Sequence, residues 1–200
     1  MSFHATSIES SAAAARSTRK NLRSEILAAV GDFSHGEGET PLEAALGERL
    51  RRRHLTLAVA ESCTGGLLGG RLTSVSGSSD YFVGGVMSYA NSVKTKILGV
   101  SARLIARHGA VSKECAAAMA QGARKKLGAS IGLSITGIAG PGGGTKAKPV
   151  GLVYLAVSGP GSMSAVKRID VHGPRETIRG RAVTAALRLA FVSLLKANDA

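Results

Sequence analysis

Leu55-Thr56-Leu57-Ala58-Val59-Ala60-Glu61-Ser62-Cys63-Thr64-Gly65-Gly66 runs from an apolar segment into a cluster of small polar residues. Leu67 to Leu72 follows with helical spacing. A strand over 55–60 and a helix over 64–73, joined this tightly, place a hydroxyl at a strand end beside exposed helix N-terminal N–H groups. Such N–H groups stabilise a developing oxyanion, and Gly65 and Gly66 let a substrate approach the backbone closely. Ser62 or Thr64 acting only as a helix cap accounts for the same residues, and taken alone they favour that simpler role. Successive residues of an extended chain point to opposite sides, so Cys63 faces away from Ser62. A helix N-terminus would lower its thiol pKa, but no histidine stands where it would partner a thiolate. Cys63 reads as a small packed residue.

The 200 residues suffice for one well-buried domain, and a second would be a tight fit. Aromatic residues make up only 4% and Trp is absent, while small residues abound, which suits helices packed closely on a sheet. Two cysteines, Cys63 and Cys115, make no disulfide framework. No apolar run is long enough to span a bilayer and no signal-peptide core is visible, so a soluble cytoplasmic protein is expected. The net charge of +13 raises nucleic acid as a partner. The surplus is scattered over short clusters, such as Arg51-Arg52-Arg53 and the arginines from Arg175 to Arg188, without interleaved aromatics. A base-stacking platform is therefore not indicated, and most of these side chains read as solvated helix faces.

Residues 1–40 are rich in Ser, Ala and charge, with Gly31, Gly36 and Gly38 interrupting the second half. They read as a disordered or loosely packed extension, with a short amphipathic helix conceivable over 17–30. The body, residues 41–198, opens with Thr40 as an N-cap and Pro41 at the first helical position. Strands are expected over 55–60, 82–89, 131–136, 151–157 and 163–171, the last two as a hairpin. Helices are expected over 41–53, 64–73, 91–98, 101–108, 112–127 and 175–196, with Asn91 capping the third. Helices alternating with strands and then a hairpin imply an α/β layered fold with a mixed sheet.

A serine hydroxyl needs a base. His54 ends a basic helix and His108 precedes a helix-joining glycine; both read as loop or surface residues. Tyr89-Ala90-Asn91-Ser92-Val93-Lys94 offers a different base. A lysine in the first turn of a helix faces the positive end of the macrodipole, and burial would also favour its neutral amine. Tyr89, at a strand end, is placed to relay a proton or orient that amine. A solvated lysine beside a strand-end tyrosine explains the pattern as simply. Gly137-Ile138-Ala139-Gly140-Pro141-Gly142-Gly143-Gly144-Thr145 follows a strand and offers an anion-binding nest. It matches neither a Walker A loop nor a G-x-G-x-x-G turn, since Thr145 stands where each needs glycine.

Taken together, Ala60 to Gly66, Tyr89-x-Asn91-x-x-Lys94 and Gly137-Ile138-Ala139-Gly140-Pro141-x-Gly143-Gly144-Thr145…Lys148-Pro149-Val150-Gly151 resemble the CinA C-terminal family. His108-Gly109-Ala110-Val111-Ser112 adds a lesser match. The characterised enzymes of that family are PncC-type nicotinamide-nucleotide amidohydrolases. The resemblance implies a three-layer α/β/α sandwich, usually homodimeric, that hydrolyses the carboxamide of nicotinamide mononucleotide without metal or cofactor. It implies Ser62, Tyr89 and Lys94 as the catalytic set. Cys63, Thr64, Gly65, Gly66 and Asn91, with Gly137, Gly140, Gly142, Gly143 and Thr145, become candidates for substrate binding or an oxyanion hole. A small-molecule nucleotide is then the partner, rather than nucleic acid or a membrane. Alternatives are a non-catalytic binding or regulatory protein of the same fold, or an amidohydrolase of another anionic amide.

Overall fold

The computed structural model describes residues 11–30 and 40–197. The chain divides into two units, residues 1–39 and 40–200. In the first, helix α1 spans Ala12–Val30. It begins ahead of residue 17 because Ser11 Oγ accepts from Ala14 N at 3.2 Å. That contact lets Ala12 to Ala15, the strongest helix formers, join the helix. The loose character expected of residues 1–10 and 31–39 falls outside the described residues.

The second unit runs α2 (Leu42–Arg52), β1 (Leu57–Glu61), α3 (Leu67–Thr73), β2 (Phe82–Met87), α4 (Asn91–Lys96), α5 (Ala102–His108), α6 (Lys113–Lys126), β3 (Ile131–Gly137), β4 (Leu152–Ser158), β5 (Ser164–Asp170) and α7 (Arg175–Lys196). Local chemistry moves several boundaries from their expected places. Pro41, with ψ at 149°, takes the cap position of α2, so Thr40 does not. Thr56 and Ser130 exchange backbone-to-side-chain bonds of 3.1 and 2.9 Å just ahead of the β1–β3 ladder, which therefore starts at Leu57. Gly65 and Gly66 have φ of 59° and 97°, a left-handed conformation that glycine adopts without strain. Helix α3 accordingly begins at Leu67 and not at Thr64. Ala90, extended at ψ 150°, holds the cap position of α4, and Asn91 is an exposed first residue that makes no capping bond.

The five strands lie in the order β2-β1-β3-β4-β5. β2, β1 and β3 are parallel, while β4 and β5 return antiparallel as the expected hairpin. The sheet is mixed, with helices on both faces. Leu57 and Val59 point into a core with α2, α3 and α7, shared with Leu133, Ile135, Val153 and Leu155. Ala58 and Ala60 point the other way, onto Leu98, Val100, Cys115, Met119 and Ala123. Small residues let α6 lie very close to its neighbours. A Cβ on Gly132 would sit 2.0 Å from Ala120 O, and one on Gly122 would sit 2.2 Å from Leu98 O.

Glu61 pairs with Met87 on one side and with Ile135 on the other, so the carboxyl ends of β1, β2 and β3 are level. From β1 the chain passes to β2 on one flank; from β2 it crosses to β3 on the other. A crevice outside the carboxyl ends of strands, at such a reversal, is where open α/β sheets hold ligands.

Candidate active site

Ser62 is the residue immediately after β1, and it keeps the side of Ala58 and Ala60. That side faces α4, whose Lys94 is only 1% exposed. Lys94 Nζ lies 3.1 Å from Ser62 Oγ, and it donates to Ser88 O at 2.6 Å and Tyr89 O at 3.1 Å. Among the described residues no carboxylate pairs with this amine. Burial without a counter-ion lowers the Lys94 pKa. Thiolates at Cys115 and Cys63 would oppose that shift, but burial raises both thiols, Cys63 to about 11, which disfavours the thiolates. A nucleophile and an amine of lowered pKa, both buried, thus share one hydrogen bond.

Cys63 packs into the α2–α3–α7 core, on the opposite side of β1 from Ser62. A buried thiol pushed up to about 11 is no nucleophile at neutral pH. Tyr89 is brought to the site by its backbone, whose carbonyl takes the lysine proton donor. The residue is 64% exposed, and its hydroxyl accepts from Arg175 Nη2 at 3.3 Å.

The helix N-terminus serves a different purpose from the oxyanion hole expected of it. Glu61 is 2% exposed, and its carboxylate accepts from Gly66 N at 3.1 Å, Leu68 N at 3.1 Å and Gly69 N at 2.9 Å. Gly65 N donates to Ser62 O. Gly65 and Gly66 therefore supply no free donor. Among the described residues no other residue accepts from the N–H of Cys63 or Thr64, which directly follow the nucleophile; the Cys63 N–H is turned toward its own thiol. Thr64 Oγ1 is buried and also unpartnered.

The glycine-rich loop leaves β3 beside Ser62, whose N–H donates to Ile135 O at 3.0 Å. Gly140 is buried, whereas Gly142, Gly143 and Thr145 are exposed at the tip, and Gly137 is half-buried at the base. Thr145 and Lys148 close a turn through reciprocal backbone bonds of 2.8 and 3.1 Å.

Two arginines that sequence reasoning placed on a solvated face converge here instead. Arg179 donates from Nε to Cys63 O at 3.1 Å and from Nη2 to Thr64 O at 2.6 Å. Arg175 donates from Nη1 to Gly140 O at 2.7 Å. Their spacing of four, in the first turns of a helix, was the available signal. Cations are disfavoured at that end of the macrodipole unless something holds them. Glu61 and Ser88 were missed as well. Ser88 donates to Glu61 O from both N (2.7 Å) and Oγ (3.1 Å), fixing the carbonyl that grips Lys94. His54 is exposed on a loop, and His108 Nδ1 lies 3.6 Å from Glu114, so neither enters the site. Much of the remaining positive charge is locally engaged. Arg51 pairs with Asp80 at 3.1 Å, Arg71 with Glu43 at 3.0 Å, and Arg49 stacks on Phe191 at 4.5 Å.

Among the described residues no group of three His, Cys, Asp or Glu is placed to hold a metal ion. Nor is any described helix long and apolar enough to cross a membrane.

The family model of the CinA C-terminal domain matches residues 39–194. A CinA-like protein of Gemmatimonas aurantiaca is 54% identical over 171 residues, covering 85% of this chain and 40% of that protein. One of Desulfotalea psychrophila is 53% identical over 154 residues, covering 77% of this chain and 37% of that protein. The chain thus spans less than half the length of these relatives. Among solved structures, the competence damage-inducible protein A (ComA) of Klebsiella pneumoniae superposes with a TM-score of 0.74 at 34% identity, over 77% of this chain and 95% of that one. The competence/damage inducible protein CihA of Agrobacterium tumefaciens gives 0.69 at 35% identity, over 79% of this chain and 99% of that one. A matched family model over most of the chain, relatives above half identity and full-length structural neighbours agree: this chain belongs to the CinA C-terminal domain family.

Proposed function

We propose that the domain hydrolyses the carboxamide of nicotinamide mononucleotide to nicotinic acid mononucleotide and ammonia, with Ser62 as nucleophile and Lys94 as its base. The observation that carries the reading is the buried Lys94 amine 3.1 Å from Ser62 Oγ. A neutral amine has two N–H donors and one lone pair. Ser88 O and Tyr89 O can only accept, so they take both donors and leave the lone pair to the Ser62 hydroxyl.

Ser62 Oγ attacks the amide carbon as its proton passes to Lys94. The oxyanion is received by the N–H groups of Thr64, which no other residue engages, and of Cys63, which turns from its own thiol to the substrate. Collapse breaks the C–N bond, and Lys94 returns the proton to the departing ammonia. Water then attacks the acyl-enzyme, giving one proton to Lys94. Collapse returns that proton to Ser62 and frees the acid, which gives its remaining proton to solvent and leaves as the carboxylate. Tyr89 contributes through its carbonyl and at the mouth of the site, beside Arg175. Loop N–H groups and nearby cations suit the anionic phosphate of the substrate. The homodimer implied by the family resemblance is the assembly proposed, to be checked by light scattering.

Ammonia release from nicotinamide mononucleotide by the purified protein, compared with Ser62→Ala, tests the reaction. Release by the wild type with a loss on the order of 10³-fold or more in the variant is expected. No release by the wild type, or equal release by both proteins, removes the proposal. Ammonia from a different anionic amide alone would keep the chemistry and change the substrate.

A further inference from the structure

The loop between β3 and β4 is anchored to both helical layers, and each anchor is a cation donating to backbone carbonyls. On one side, Arg175 of α7 reaches Gly140 O at 2.7 Å. On the other, Lys148 at the far end of the loop sends Nζ to His108 O at 2.6 Å and Val111 O at 2.7 Å. His108 closes α5, and Val111 belongs to the α5–α6 connection. That connection is itself braced: Thr136 Oγ1 of β3 donates to Ala110 O at 2.8 Å, and Ser112 Oγ donates to Gly109 O at 2.9 Å. Lys148 therefore ties the loop to a rigid point rather than to another loose segment.

The loop needs such a tie. Gly140, Gly142, Gly143 and Gly144 give it four glycines within five residues, the composition with most conformational freedom to lose. Residues 141–147 are exposed. Its base is paired by Ile138 N to Leu152 O and Gly151 N to Ile138 O, and its tip only by the Thr145–Lys148 turn. Space around Lys148 is also specific: a Cβ on Gly109 would lie 2.7 Å from Nζ. Lys148 thus passes closely over Gly109, whose φ of 81° also favours glycine.

We propose that Lys148 is a positioning residue that straps the glycine-rich loop across the carboxyl ends of the parallel strands, and that this strap determines substrate affinity without taking part in the proton transfers. The affinity half rests on the amidohydrolase reading; the strap itself does not.

Lys148→Met removes the donors and nearly keeps the length of the side chain. Limited proteolysis reads the strap with no activity needed. Trypsin cuts after the exposed Lys146, whereas the bond from Lys148 to Pro149 resists it, so the substitution deletes no cutting site. Cleavage after Lys146 should accelerate by roughly tenfold or more in the variant, following the larger open population of the loop. With nicotinamide mononucleotide as substrate, KM should rise about tenfold, kcat should change less than about threefold, and the acid limb of the pH–rate profile should stay in place. Should the Met variant fail to fold, Lys148→Gln, which keeps an amide donor, should show the same pattern in weaker form. Unchanged cleavage overturns the strap. Faster cleavage with unchanged KM overturns the link to affinity. A moved acid limb means that Lys148 acts on the base electrostatically, which also overturns the proposal. An inactive wild type with accelerated cleavage in the variant would remove the amidohydrolase reading and leave the strap standing.

Discussion

Lys94 Nζ is gripped by two carbonyls and one hydroxyl, and burial moves its pKa below the ordinary lysine value of 10.5. Below that lowered pKa the amine is charged and cannot accept the Ser62 proton; above it the lone pair is free. kcat/KM should therefore fall on the acid side and rise through an apparent pKa lower than that of a free lysine, as read from a pH–rate profile. Lys94→Arg keeps the charge but gives up no proton at accessible pH. It should cost on the order of 10³-fold or more in kcat, with nucleotide binding retained by calorimetry. Turnover near wild type would mean that another group activates Ser62. At this scale the alternation of side chains along a strand is legible in the sequence alone: Ser62 and Cys63 do lie on opposite faces. Legible too, through the resemblance, is the pairing of Ser62 with Lys94. What no spacing rule supplies is that two residues 32 positions apart fold back to 3.1 Å.

At the scale of elements, the turn after β1 owes its shape to Glu61. Its carboxylate occupies three N–H groups at the start of α3, so the positive end of that short helix is neutralised from inside the fold. The reading of small polar residues before a helix took those donors as free for substrate. Missing was the reach of the buried side chain just before Ser62, which doubles back over the turn. Glu61→Ala should leave the N–H of Leu68 buried and unpaired. A loss of about 3 kcal/mol in urea-unfolding stability is expected, because bonds to a charged acceptor and a buried orphan donor both count. Turnover should fall with it, since Glu61 O also anchors Ser88 and through it Lys94. Wild-type stability in this variant would show that solvent replaces the carboxylate and that the turn holds its own shape. Asn91 illustrates the converse case: a residue type that favours caps stands one place inside its helix, because extended Ala90 already ends the strand-to-helix turn.

For the whole molecule, the family match and the second structural unit begin within a residue of each other, at residues 39 and 40. Deleting residues 1–39 should leave the thermal midpoint of the remaining domain and its turnover within about twofold of the full chain, since each core cluster lies at Leu42 or beyond. A folded truncation with a large loss of turnover would place the extension over the site. The sequence by itself determined the class of fold, since hydrophobic periods of 3.6 and 2 alternate along the chain and each buries one face of a helix or strand. It also determined the hairpin at Ser158-Gly159-Pro160-Gly161, because local conformation there depends on glycine and proline. Only the tertiary structure decided which donors near Ser62 are free and which Glu61 consumes. Likewise it turned Arg175 and Arg179 from expected surface charge, and Lys148 from a motif residue with no assigned role, into ties on backbone carbonyls. For these ties the physical reason is range. Periodicity and turn chemistry act over a few residues, whereas the arginine and lysine ties join segments 35 to 116 positions apart and exist only once the carboxyl ends of β1, β2 and β3 have been brought level.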